Sequence, residues 1–180
     1  YSVNQDKEKL YEAALKSIER KYGDNPLSAQ ASYLRAEIYF NKGQDFDPIA
    51  KSANQNEIKR AKDICEATIR KFPKTEGGIN CKNLLDQILQ PSLNTETEKV
   101  NVPNQPFRTL VKYKNVKTVY FRIIQTSRDE IKKMDKRDYE KLWKDVVSLK
   151  YSKAWSETLP DPADFQNHSV EVKVDGLPIG

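Results

Sequence analysis

The sequence has few of the residues on which metal binding, redox chemistry and nucleophilic catalysis depend. Its 180 residues include one histidine, His168, and two cysteines, Cys65 and Cys81. These are too few for a standard four-ligand zinc site or for a disulfide scaffold. Six glycines occur, and none belongs to a phosphate-binding loop. We therefore assign no catalytic, cofactor-binding or metal-binding residue, and we expect no cofactor and no enzyme activity.

The two cysteines fall on apolar faces of predicted helices. Free cysteine is among the most buried residue types, so a pair of buried, unreactive thiols is the favoured interpretation. A disulfide between Cys65 and Cys81 is the alternative. A Cys–His dyad would have to join His168 to a cysteine in the other half of the chain, and we do not favour it.

Long apolar runs and segregated charge are also lacking. No run approaches the roughly 18 apolar residues of a membrane-spanning helix. The opening residues, YSVNQDKEKL, have neither the basic nor the apolar region of a signal peptide, so we expect any export signal to lie outside this sequence. The 31 basic and 26 acidic residues are interspersed, and the net charge is only +5. This pattern disfavours a dedicated nucleic-acid binder.

Four helical segments are predicted over residues 1 to about 90, because apolar residues recur there every three or four positions. Asn25 is the predicted N-cap of the second helix, with Pro26 at its first position. The apolar stripes are Leu10, Ala14, Ile18 and Tyr22; Tyr33, Ala36 and Phe40; Ile58, Ala61, Cys65, Ile69 and Phe72; and Cys81, Leu84, Leu85 and Ile88.

This helical half resembles the tetratricopeptide repeat, a family of antiparallel helix pairs with small residues at helix contacts. Ser32 and Arg35 depart from the family pattern. Two helix pairs are fewer than normally stand alone, so we expect the array to lean on another part of the protein. A packing spacer is favoured over a peptide-binding groove. The matching residues are Ala36, Tyr39, Gly43, Ala61 and Pro73.

The second half, residues 91–180, changes to β-structure. In PFRTLVKYKNVKTVYFRIIQ, apolar and polar residues alternate on both sides of Asn115, which predicts a hairpin with one apolar and one basic face. The preceding SLNTET is either a first strand or a linker. A helix is predicted at about 128–149, and SVEVKVD is a further strand. Such a sheet has open edges, so we expect more chain to follow.

The run VNVPNQPFRTLVKYKNVKTVYFRIIQTSRDE, with the later HSVEVKVDGLPIG, resembles the amino-terminal region of bacterial alpha-2-macroglobulin family proteins. Asn115, Tyr120 and Arg122 carry much of the resemblance, which covers about residues 60–180. It implies a repeat-like helical segment followed by a macroglobulin-like β-sandwich domain. The expected fold class is therefore α+β: tetratricopeptide-like helical hairpins over 1–90, and a truncated macroglobulin-like β-sandwich with an inserted amphipathic helix over 91–180.

The same resemblance implies a function. Members of the family trap proteases with a bait segment and, in many cases, a thioester. Neither feature can be placed here, because Cys65 begins CEAT and Cys81 begins CKNL instead of a C-x-E-Q-like run. We expect a non-catalytic structural or interaction segment of a large extracytoplasmic protein, periplasmic or surface-anchored. The alternative is a stand-alone tetratricopeptide-type adaptor that binds a peptide or protein.

The expected partners are proteins: later domains of the same chain and, through the full-length protein, proteases. Basic residues beside aromatics on the predicted hairpin can also bind single-stranded nucleic acid, but we favour a solvated sheet face there. The candidate interaction surface comprises Tyr33, Tyr39, Arg108, Lys112, Lys114 and Arg122.

Overall fold

The computed structural model describes residues 2–98, 100–134 and 137–178. Helices are followed by antiparallel strands in two small sheets, which confirms the predicted α+β class. The helices are α1 (Ser2–Tyr22), α2 (Ser28–Gln44), α3 (Glu57–Lys71), α4 (Glu76–Leu89), α5 (Arg128–Lys133) and α6 (Tyr139–Ser148). The strands are β1 (Ser92–Thr97), β2 (Phe107–Lys114), β3 (Thr118–Ile124), β4 (Tyr151–Thr158) and β5 (His168–Val174).

The chain divides into two compact units. The helical unit contains the chain up to Asn94 together with Lys112–Asn115 and Asp161–Ser169. The β unit contains Thr95–Val111, Val116–Pro160 and the chain from Val170 onward. The helical unit is therefore built from three separate segments of the sequence.

The core of the helical unit lies between α2, α3 and α4. Ala36 and Ala61 are fully buried, and such small side chains let helices approach closely. At Gly77 the approach is closer still, because a Cβ atom there would lie 2.2 Å from the carbonyl carbon of Ala29. The buried core residues are Ala36, Tyr39, Phe40, Ile58, Ala61, Cys65, Cys81, Leu84 and Ile88. The predicted stripes of α2, α3 and α4 supply these core residues except Tyr39.

The stripe predicted for α1 (Leu10, Ala14, Ile18 and Tyr22) was wrong, because all four residues are exposed and Leu15 is buried instead. The contact between α1 and α2 uses ion pairs, Glu12 with Lys42 and Glu19 with Arg35, which an apolar stripe does not reveal.

The predicted start of α2 was wrong. The helix begins at Ser28, and Asn25 does not cap it. Instead, the Asn25 Oδ1 accepts a hydrogen bond from the Leu27 N–H at 3.0 Å. Asparagine side chains commonly close such short turns through the backbone two residues on, and here the turn precedes the helix.

The predicted hairpin was also wrong, although its alternation of buried and exposed residues is present. The sheet order is β1-β2-β5 in one sheet and β3-β4 in the other, so β2 and β3 do not pair. Asn115 does adopt the expected left-handed conformation, with φ 55°. Its side-chain amide, however, donates to the carbonyls of Ile88 at 2.8 Å and Gln90 at 3.3 Å. A two-residue period defines the faces of a strand and not its partner.

The single helix predicted at about 128–149 is two helices. Ser127 and Glu130 form a capping box at the start of α5, and Asp138 caps α6 by accepting from the Lys141 N–H at 3.0 Å. Met134 has an extended backbone, which ends α5. Local capping therefore outweighs a continuous apolar stripe; residues 135 and 136 lie outside the described part. No described helix has the length and apolar character needed to span a bilayer.

Candidate functional site

The segment Asp161–Ser169, which leads from β4 into the first two residues of β5, belongs to the helical unit, and we call it the strap. Phe165 packs against the helical core, with the Lys62 Nζ 5.6 Å from the centroid of its ring. The side-chain amide of Gln166 donates to the carbonyl of Gly43 at 3.0 Å and to that of Gln55 at 3.3 Å. The strap is thus attached to the connection between α2 and α3, and the short helical array does lean on another part of the chain.

Asp164 is the most deeply buried charged residue of the strap, with 2% of its surface exposed. Its carboxylate accepts hydrogen bonds from His168 Nε2 at 2.8 Å, from the Gln166 N–H at 3.0 Å and from Gln55 Nε2 at 3.2 Å. Burial alone would raise the pKa of Asp164, but these hydrogen bonds outweigh burial and hold the pKa below its ordinary value. The site therefore retains an ionised carboxylate in its interior.

The backbone of the strap is strained on both sides of Asp164. Ala163 has φ 55° and Phe165 has φ 61°, both in the left-handed region that residues with a Cβ rarely adopt. Each such residue costs about 1–3 kcal/mol and persists only when its surroundings hold it in place. The contacts of Phe165, Gln166 and Asp164 provide that support.

A cleft of about 400 Å³ opens beside His168, whose ring lies 5.8 Å from that of Tyr113 between centroids. An Asp–His pair beside a cleft is an arrangement by which hydrolases orient a general base. Within the described part of the chain, however, no hydrogen bond joins His168 to a serine hydroxyl of the cleft. Asp164 and His168 instead bond to each other within the strap. The lining residues are Ser92, Leu93, Asn94, Lys112, Tyr113, Asn167, His168 and Ser169.

The two tyrosines of the candidate interaction surface lie in the helical core region. Tyr33 is half-buried, and its hydroxyl donates to Glu37 at 3.3 Å; burial raises the pKa of this hydroxyl. Tyr39 is buried, with 9% of its surface exposed, and its hydroxyl bonds to Glu12. Most of the Tyr39 ring is thus occupied in packing.

The four basic residues of that surface are divided between the units. Lys112 and Lys114 belong to the helical unit, whereas Arg108 and Arg122 belong to the β unit. Lys114 is half-buried and donates to the carbonyl of Gln87 at 3.3 Å; burial lowers its pKa. Lys112 is exposed.

The two arginines of the β unit lie on different sheets. Arg108, on β2, is exposed and forms an ion pair with Glu171. Arg122, on β3, donates to the carbonyl of Val147 at 3.3 Å, and its guanidinium lies 5.3 Å from the centroid of the Tyr151 ring. Both arginines already have partners inside the β unit.

The cysteines are free and fully buried in the helical core, which confirms the favoured interpretation over a disulfide. A hydrogen bond with Cys81, together with burial, raises the pKa of the Cys65 thiol. A thiol with a raised pKa is unreactive at neutral pH, because the thiolate is the nucleophile.

Sequence reasoning did not identify Gln55, Asp164 or Gln166. The side chains of Gln55 and Asp164 meet across 109 residues of sequence, and such a contact leaves no local periodicity. The available signal was the length of the connection between β4 and β5, residues 159–167, which exceeds the usual length of about four to six residues for such connections.

The candidate functional site is therefore the strap together with its seat. The seat comprises the groups of the helical unit that contact the strap: the Gly43 carbonyl, the carbonyl and side-chain amide of Gln55, and the core surface beside Lys62. The site joins a buried carboxylate, an amide that binds backbone carbonyls, and an aromatic ring on an apolar core. These groups are suited to recognition and positioning. Comparisons with known proteins identify no relative: no family model matches the chain, and neither a curated protein nor a solved structure matches it significantly.

Proposed function

We propose that the chain is a non-catalytic structural and interaction segment of a large extracytoplasmic protein of the alpha-2-macroglobulin type, in the protease-inhibitor or surface-defence class. The observation that carries this proposal is the strap. Its buried polar groups join parts of the sequence that are far apart, as when Gln166 binds the carbonyl of Gly43 across 123 residues. The Asp164 carboxylate, the His168 ring and the Gln166 amide are of types that take part in catalysis in other proteins. Here they form hydrogen bonds within the strap and to distant parts of the chain, which hold these parts together.

The small sheets of the β unit also support this proposal. Among the described residues, β3 and β4 form a sheet of only two strands, with Phe121 stacked on Trp155 at 4.9 Å between ring centroids. An isolated two-stranded sheet is marginally stable, and further strands stabilise it. In the proposed setting, β-domains of the same protein provide the partners, and proteases are engaged through the whole protein.

The gene around this coding region provides the first test. A secretion or lipoprotein signal upstream and a long run of β-domains downstream are expected. A stop codon directly after that of Gly180 would contradict the proposal. If the longer protein exists, it should retain an active protease in a complex that separates from free protease by size, whereas a protein lacking residues 1–180 measures what this segment contributes.

A second candidate function is a stand-alone tetratricopeptide-type adaptor. It is favoured by the way the helical unit holds the strap, which is a peptide segment seated on helices. The unit also has a separate groove of about 390 Å³ between α1, α2 and α3, where Arg35 and Glu19 form an ion pair at 2.9 Å.

Selection from a displayed peptide library tests this adaptor. We expect a common motif to be enriched on the wild-type chain and lost on Ala67→Arg, which fills the groove from an exposed helical position. Lys82→Arg, on exposed α4 surface outside the groove, is the matched control and should retain the motif. Identical selections on the wild type and Ala67→Arg would exclude the groove.

A further inference from the structure

We propose that the seat of the strap is a recognition site for an Asp–Phe–Gln peptide, and that residues Asp164, Phe165 and Gln166 occupy it as a ligand supplied by the same chain. A peptide carrying these three residues then binds the seat when the strap is released. This inference rests on the adaptor function, because only an adaptor uses a site whose ligand can be exchanged.

The seat binds the Gln166 side chain through two backbone carbonyl groups. One side-chain amide donates both to the carbonyl of Gly43, near the end of α2, and to that of Gln55, just before α3. A primary amide carries two N–H donors in a fixed plane, so it can satisfy two carbonyls at once. Gln166 is buried, with 6% of its surface exposed, so loss of these bonds would leave its amide donors unpaired. A glutamine at this ligand position is thereby specified.

The seat binds Asp164 and Phe165 through side chains of the helical unit. The Asp164 Oδ2 accepts from Gln55 Nε2 at 3.2 Å, and Phe165 packs on the helical core beneath Lys62. An ammonium over an aromatic face is favourable, and a buried carboxylate must be paired. Three consecutive ligand residues are thus each met by a different chemical group of one surface.

Attachment of the strap to the chain keeps the site occupied. The strap holds its bent backbone with positive φ at Ala163 and Phe165, and His168 fixes Asp164 from within the strap. A separate peptide must be ordered into this shape on binding, whereas the attached strap binds at the high effective concentration of an intramolecular ligand. The added peptide should therefore bind strongly only after the strap is weakened.

The test uses the full chain with the substitutions Asp164→Ala, Phe165→Ala and Gln166→Ala combined, here called the release variant. The probe is the fluorescein-labelled, end-capped peptide DPADFQNHS, followed by fluorescence polarisation. The control peptide has the Asp and the Gln of DFQ exchanged, so composition and charge are unchanged. We expect saturable binding of the probe to the release variant, at least tenfold weaker binding to the wild-type chain, and at least tenfold weaker binding of the exchanged peptide.

Two outcomes overturn the inference while the release variant keeps its helical circular dichroism: no binding of the probe, or equal binding of both peptides. If the variant loses its helical signal, the probe in excess should restore it and the exchanged peptide should not; absence of recovery also overturns the inference. The adaptor function fails separately, when library selection yields no groove-dependent motif although the strap peptide binds.

Discussion

Replacement of Asp164 by asparagine tests the interior of the strap most directly. The carboxylate is 2% exposed and accepts three hydrogen bonds, two through Oδ1 and one through Oδ2. Asparagine has one side-chain oxygen in place of two. Its NH₂ group would therefore lie against one of the donors that the Asp164 carboxylate now accepts from. Because the substitution leaves buried donors without their acceptor, we expect a loss of about 1–3 kcal/mol.

Urea unfolding followed by helical circular dichroism measures this loss. Asp86→Asn, on an exposed position of α4, is the matched control and should change the free energy of unfolding by less than about 0.5 kcal/mol. Equal effects of Asp164→Asn and Asp86→Asn would refute the argument that the buried carboxylate holds the strap in place.

The pH dependence has a defined sign. Because the pKa of Asp164 is lowered on folding, its contribution is complete above the ordinary Asp pKa of about 4 and is lost as pH falls through the lower pKa of the folded state. The difference in unfolding free energy between the wild type and Asp164→Asn should therefore shrink as the pH falls below about 4. A difference that stays unchanged into strong acid would contradict the assignment of an ionised carboxylate.

Three further predictions concern packing, the strand connection and the thiols. Gly77→Ala should destabilise the helical unit by about 1–3 kcal/mol, because its Cβ would overlap the backbone of Ala29; thermal unfolding measures this, and an unchanged midpoint would argue against the close approach. Asn115→Ala should cost about 1–3 kcal/mol, since it loses hydrogen bonds to two carbonyls at the end of α4 and must still adopt positive φ, whereas Asn115→Gly should cost less. Cys65 and Cys81 should resist an alkylating reagent in the native state and react in urea; fast native labelling measured by mass spectrometry would be inconsistent with their burial.

The elements predicted correctly from the sequence are those defined by local pattern. The stripe through Ile58, Ala61 and Cys65 has a helical period, and those residues form the core. Alternation in β2 likewise places Val111 and Tyr113 inside the protein. Each pattern is read within one element, so no knowledge of a distant partner is needed.

Two wrong predictions, the cap of α2 and the single helix at 128–149, concerned local capping, whereas the wrong strand pairing and the missed strap involved a choice of partner. The strands around Asn115 have the right faces but pair with β1, β5 and β4 instead of each other. The strap depends on Gln55 and Gly43, which a reader of the local sequence around Gln166 has no reason to select. Local periodicity shows which face of a helix or strand is buried. The choice of the element that packs against this face depends on tertiary packing.

The position of Gln166 late in the chain has a consequence for synthesis. Gly43 leaves the ribosome 123 residues before the side chain that binds its carbonyl. At an elongation rate of about 5–20 residues per second, the Gly43 carbonyl waits roughly 6–25 s for Gln166, and the completed set α1 to α4 waits roughly 4–15 s. During this interval the growing helices expose the apolar surface that Phe165 later covers, so a chaperone that recognises nascent chains has its opportunity there.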